Sequence, residues 1–149
     1  MPSYHLVQLN IAKMKYSIES AEMIDFVDNL ENINALAEDS PGFVWRLQTD
    51  DGDATGIDFF GSDLLVNMSI WSDVESLYNY VYKSAHAKIM SRRKEWFLRV
   101  KEVYTVLWWA PEGSIPSLDE AKSKLELLKT QGPTAQAFTI KQAFPPSGN

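Results

Sequence analysis

The 149-residue sequence contains no cysteine, which removes disulfide frameworks, thiolate metal sites and a cysteine nucleophile together. Histidine occurs only at His5 and His86, without an E-x-x-H or comparable spacing, so no zinc site is indicated. No G-x-G-x-x-G, Walker or G-x-S-x-G motif is present, which argues against nucleotide cofactors and serine hydrolysis. Asp50, Asp51 and Asp53 around Gly52 lack the remaining ligand spacing and the closing glutamate of a calcium loop, and read as a solvated turn. No apolar run approaches the roughly 18 residues of a membrane span, and "MPSYHLVQLNIAK" has neither the basic nor the apolar region of a signal peptide. A cytoplasmic protein without membrane contact is therefore expected. Basic residues are outnumbered, 14 to 20, for a net charge of -6. Long-range electrostatics then disfavours nucleic acid, and the cluster Lys88, Arg92, Arg93 and Lys94 is too short to reverse that.

Aromatic residues, by contrast, make up 12% of the chain and include five tryptophans. Such side chains fill cores, interfaces and pockets alike, so the excess suits either a small-molecule cavity or a homodimer interface. The length fits one domain, expected over residues 1–144 with a frayed tail at 145–149.

Alternating polarity predicts a strand in "YHLVQLNIAK", a second in "FVWRLQT", a third in "LLVNMSIW" and a fourth in "VYTVLWWAP". In the second, Phe43, Trp45 and Leu47 share one face and Val44, Arg46 and Gln48 the other. Met23, Phe26, Val27, Leu30, Ile33 and Ala37 mark an amphipathic helix from Ala21 to Glu38, broken by "SPG". S-x-x-E capping boxes at Ser72/Glu75 and Ser117/Glu120 open two more helices, the last running to Lys129 before "QGP". Helical spacing continues from Ser84 to Val100, and "AFTIKQAF" reads as a short edge strand. Strand-helix-strand-strand-helix-strand is the order of an α+β, ferredoxin-like unit.

Two constellations could carry chemistry. At 100° per residue, His86 and Arg93 share one helical stripe with Ile89, Met90, Phe97 and Val100, whereas Lys88, Arg92 and Glu95 point to water. An inward arginine cannot shed its charge, so Arg93 needs either an anionic ligand or a carboxylate such as Asp25, Asp28 or Glu31. His86 is either a general acid or base or a core histidine satisfied by a carbonyl. The second constellation is the sheet face bearing Gln8, Asn10, Arg46, Gln48, Asn67, Ser69 and Trp71. A helix-covered face has little room for these groups, so they are expected opposite the helices. Trp71 and at least one of Trp108 and Trp109 would then face water, unless a partner or ligand covers them.

The strings "YHLVQLNIA", "PGFVWRLQTDDGDAT", "LLVNMSIW", "VYKSAHAKIMSRRKEWF", "VLWWAPEG" and "GPTAQAFT" together resemble a bacterial family carried as a domain of unknown function, over nearly the whole chain. That family resembles the dimeric α/β-barrel superfamily, which includes cofactor-free monooxygenases of antibiotic biosynthesis, haem-degrading enzymes and stress-response barrel proteins. The resemblance implies an antiparallel sheet with helices on one face, and two sheets meeting through helix-free faces in a homodimer. It also implies a pocket histidine on the helix after the third strand, by order His86. The extra C-terminal helix is a departure from the pattern.

The resulting expectation is a small-molecule-binding protein or enzyme with a cavity lined by Arg46, Asn67, Trp71, His86, Arg93, Trp96 and Trp108. In its enzymatic form it is a monooxygenase without cofactor or metal. An aromatic or conjugated substrate stacks on tryptophan, His86 removes a proton, and Arg93 or Arg46 holds the anion that meets oxygen. The alternatives are haem binding through His86 or His5, with arginines on the propionates, and a non-enzymatic homodimer.

Overall fold

The computed structural model describes residues 3–17, 19–47, 64–83, 92–98 and 105–146. Strand β1, Tyr4–Lys13, is followed by a 3-10 turn at Ala21–Met23 and helix α1, Ile24–Asp39. Strands β2, Phe43–Arg46, and β3, Leu64–Trp71, precede helix α2, Val74–Lys83. A short helix α3, Arg93–Trp96, strand β4, Thr105–Pro111, and helix α4, Leu118–Gln131, complete the set. The strands form one antiparallel sheet in the order β2-β3-β1-β4, the arrangement expected of the ferredoxin-like unit.

The longest strands lie in the middle because β1 and β3 must pair on both sides, and their alternate residues go to opposite faces. Val7, Leu9, Ile11, Val66, Met68, Ile70, Val106 and Trp108 form one face, closed by Ala121, Leu125 and Leu128 of α4. Leu6, Trp71 and Leu107 on the other face meet Ala37 of α1, Leu77 of α2 and Phe138, while Ala12 packs with Met23, Phe26, Trp96 and Phe97. This reverses the expected layering. The face carrying Gln8, Asn10, Asn67 and Ser69 lies under α1 and α2, and the uniformly apolar face is covered by the C-terminal helix. The α+β fold with its four-stranded antiparallel sheet is the one expected, and the additional C-terminal helix lies on the apolar face.

Several local expectations shift for identifiable reasons. A bulge in β2 places Phe43 opposite Trp71 and Trp45 opposite Ile70, so these two aromatics go to opposite faces instead of sharing one. Phe43 thereby joins the face of Arg46 and meets Trp71 edge-on, with ring centroids 5.5 Å apart. The Ser72 capping box is displaced by one residue. Asp73 Oδ1 accepts from the Ser76 N–H at 2.7 Å, and the Ser72 N–H instead donates to the Gly42 carbonyl at 2.7 Å. Gly42 has φ +85° and so close an approach that a β-carbon would overlap Ser76 and lie 2.7 Å from Ser72 Oγ, which ties the α1–β2 turn to the start of α2. Ser117 does cap α4, accepting from the Glu120 N–H at 3.1 Å, and Gly132 ends the helix at φ +73°.

The helical run expected to reach Val100 stops at Trp96, because Phe97 pairs with Met14 and the Leu98 N–H donates to the Lys13 carbonyl at 2.8 Å. The expected edge strand after α4 is reduced to a single bridge between Phe138 and Leu107, with bonds of 2.8 and 2.9 Å. No helix among the described residues is long and apolar enough to cross a membrane.

Candidate functional site

Register sorts the α1-facing side of the sheet into rows. Trp71, Leu6 and Trp109 make an apolar row; Arg46, Ser69, Gln8 and Leu107 make the next; Asn67, Asn10 and Thr105 follow; Leu65 and Ala12 make a second apolar end. Helix α1 lays Phe26, Leu30, Ile33, Asn34 and Ala37 over these rows, and α2 contributes Leu77, Tyr80 and Val81. The two polar middle rows cannot pack drily against that helical stripe. A cavity of about 490 Å³ remains between sheet and helices, within the range of small-molecule pockets.

Its aromatic wall is Trp71, fully buried and stacked on Tyr80 with centroids 5.0 Å apart. The Trp71 indole Nε1 donates to Ser69 Oγ at 2.8 Å, and that hydroxyl donates to Gln8 Oε1 at 3.0 Å. The Tyr80 hydroxyl donates to the Ile33 carbonyl at 3.3 Å, fastening α2 to α1. Burial raises its pKa far above the ordinary tyrosine value, opposed by the nearby Arg46 charge, so the phenol is neutral at physiological pH. Phe26, Trp96 and Phe97 close the far end, with centroids 5.1 to 5.4 Å apart.

Arg46 is a partly buried cation of this site, whose lining also includes Lys141. The Arg46 side chain is only 14% exposed, and one terminal nitrogen lies 3.4 Å from Glu38 Oε1. Its Nε is buried without a hydrogen-bond partner among the described residues. A guanidinium held this way is half satisfied: Glu38, itself 49% exposed, offsets the charge, but one donor stays desolvated and unmet.

Of the site residues expected from sequence, Arg46, Asn67, Trp71 and Trp96 line this cavity. Trp108 does not. It belongs to the opposite face, is 1% exposed, and donates its indole N–H to Glu120 Oε2 at 3.0 Å under α4. Period-two alternation sends Trp108 and Trp109 to different sides, and Trp109 is the one on the cavity face, donating to the Phe144 carbonyl at 2.7 Å. His86 lies outside the described residues, and so does the side chain of Arg93. The arginine paired with Asp25 is Arg92, at 2.9 Å, which also grips Glu95 at 2.8 Å and lies 4.7 Å from the Trp96 ring centre. It lies at the surface, as expected, and there latches α3 to α1.

The sequence reading placed Gln8 and Asn10 on the polar face without assigning them to the site, and missed Tyr80. Tyr80 shares a helical stripe with Leu77 and Val81, a pattern that signals burial but not what is buried beside it. The described residues do not assemble a haem site. His5 alternates with Leu6 onto the side of Val7 and Leu9, across the sheet from Arg46, and the other candidate ligand is His86. No group of three metal-ligating side chains occurs among them.

Among curated proteins, none matches the chain. Solved structures of similar shape include a protein of unknown function from Nitrosomonas europaea, with 11% identity, TM-score 0.48, and coverage of 78% of this chain and 97% of that one. SnoaB, a cofactor-independent oxygenase from Streptomyces nogalater, gives 14% identity, TM-score 0.43, and coverage of 78% and 98%. MupZ from Pseudomonas fluorescens gives 13% identity, TM-score 0.46, and coverage of 97% and 91%. A family model described as a domain of unknown function, DUF3291, matches residues 5–149, so the chain belongs to that family.

Proposed function

We propose that the cavity between the sheet and α1/α2 binds a planar, conjugated small molecule bearing an acidic group. The observation that carries this reading is Arg46, which lines the cavity and whose Nε is buried without a hydrogen-bond partner among the described residues. An anionic oxygen would give this guanidinium a further acceptor besides Glu38. The stacked pair Trp71–Tyr80 offers a flat apolar wall for a conjugated ring. Asn10 and Asn67, directly opposite each other on β1 and β3, place two carboxamides beside it to orient polar substituents.

The enzymatic form of this reading is oxygenation without a cofactor. A substrate methylene made acidic by conjugation loses a proton, Arg46 stabilises the anion, and the carbanion transfers electrons to dioxygen. A C=O bond forms at that carbon, and the second oxygen atom leaves as water with the two hydrogens removed. In this reading the proton acceptor is His86, which lies outside the described residues.

The test is titration with naphthoate and with hydroxynaphthoquinone, followed by tryptophan emission, together with oxygen uptake on phenolic substrates that carry a conjugated methylene. Arg46→Met should weaken binding of these anions about 10- to 100-fold, the loss of a charge-assisted hydrogen bond. Equal affinity in parent and variant would overturn the reading. Equal oxygen-uptake rates in the parent and His86→Ala would remove His86 from the reaction.

A further inference from the structure

The row Arg46, Ser69, Gln8, Leu107 has a polarity that follows from the chemistry of its hydrogen bonds. An indole N–H can only donate, so Trp71 occupies a lone pair of Ser69 Oγ at 2.8 Å. The hydroxyl has one proton to give, and Gln8 Oε1, 3.0 Å away, receives it. The carboxamide oxygen is thereby turned toward Ser69, and its amino group must face elsewhere. On the other side of Gln8 the cross-strand neighbour is Leu107, which offers no side-chain acceptor. The open direction left to the two N–H groups is the cavity that Gln8 lines.

Resting on the proposed ligand site, we infer that Gln8 is a further specificity residue: its carboxamide, locked by Trp71 through Ser69, presents Nε2 to an acceptor oxygen on the bound molecule. Ser69 and Trp71 act here as positioning residues for that donor. Arg46 lies two strands away in the same row, a Cα separation of about 10 Å at ordinary sheet spacing. The cavity therefore selects a rigid molecule with acceptors at both ends, an acidic oxygen for Arg46 and a carbonyl-type oxygen for Gln8, over one whose only polar group is its acid.

Two probes separate these contributions: naphthoate, with a single acidic group, and hydroxynaphthoquinone, with an acidic oxygen and a carbonyl across the ring. Gln8→Met should weaken hydroxynaphthoquinone about tenfold, as expected for one lost hydrogen bond, and leave naphthoate within about twofold. Ser69→Ala should show the same probe-dependent loss, and Ser69→Thr, which keeps the hydroxyl, should restore affinity. Near-ultraviolet circular dichroism of each variant reports whether the tryptophan packing survives. If Gln8→Met weakens both probes equally or neither, the role of Gln8 is overturned while the cavity reading stands. If the parent protein binds neither probe, the cavity reading falls and takes this inference with it.

Discussion

Leu9 and Asn10 are consecutive residues of one strand, yet they belong to different kinds of protein interior. Leu9 enters an apolar face shared with Val7, Met68, Val106 and Trp108 and covered by α4. Asn10 enters a face whose middle rows are polar and whose covering helices stand off from it, leaving room for a ligand. The same backbone supports both because side chains alternate strictly across a sheet. Closing the void on the second side would bury the polar atoms of Gln8, Asn10, Asn67 and Arg46 that Ser69 and Glu38 do not engage against Ile33 and Leu30, at a cost in desolvation.

The largest effect should come from breaking the solid face. Leu9→Ala is expected to cost about 2–5 kcal/mol of unfolding free energy while leaving ligand affinity unchanged, as read by urea titration and fluorescence. Asn10→Ala is its mirror, expected to cost less than about 1 kcal/mol of stability while weakening ligand binding several-fold. Similar losses of stability in both variants would erase the distinction between the faces. Glu120→Ala should cost about 1–3 kcal/mol, because it leaves the buried Trp108 indole N–H without its acceptor. Glu120→Gln, which keeps an acceptor oxygen, should recover most of that.

Smaller effects appear in the pH dependence. Burial raises the folded-state pKa of Tyr80, so its contribution to stability is complete below the ordinary tyrosine value of about 10 and is lost as pH rises above it. The Tyr80→Phe variant should lack that component, and its urea midpoint should fall less than the parent's between pH 9 and 11. The smallest effect belongs to the surface latch. Arg92 lowers the Glu95 pKa, so the latch contributes above the usual carboxylate range and fades as pH falls below about 4. The parent and Arg92→Met should therefore converge in stability in acid. A gap that persists there would mean that stacking on Trp96, not the ion pair, holds α3 to α1.

The order of elements, the alternation within β1 and β3, the amphipathic stripe of α1 and the caps of α4 were legible in the sequence, because each depends on residues a few positions apart. So was the grouping of Arg46, Asn67 and Trp71 on one sheet face, which follows from period-two alternation once the strands are identified. Which helices cover each face depends on residues far apart in the chain, such as Ala37 and Leu6 in one cluster and Leu125 and Val106 in the other. Local pattern carries no information about them, and the rule that helices avoid polar faces fails where a cavity keeps the polar groups out of dry contact. Trp108 shows the same limit. Its neighbour across the strand, Trp109, has the same chemistry, and only packing of α4, with Glu120 brought to the indole, decided which of the two would belong to the core and which to the side of the cavity.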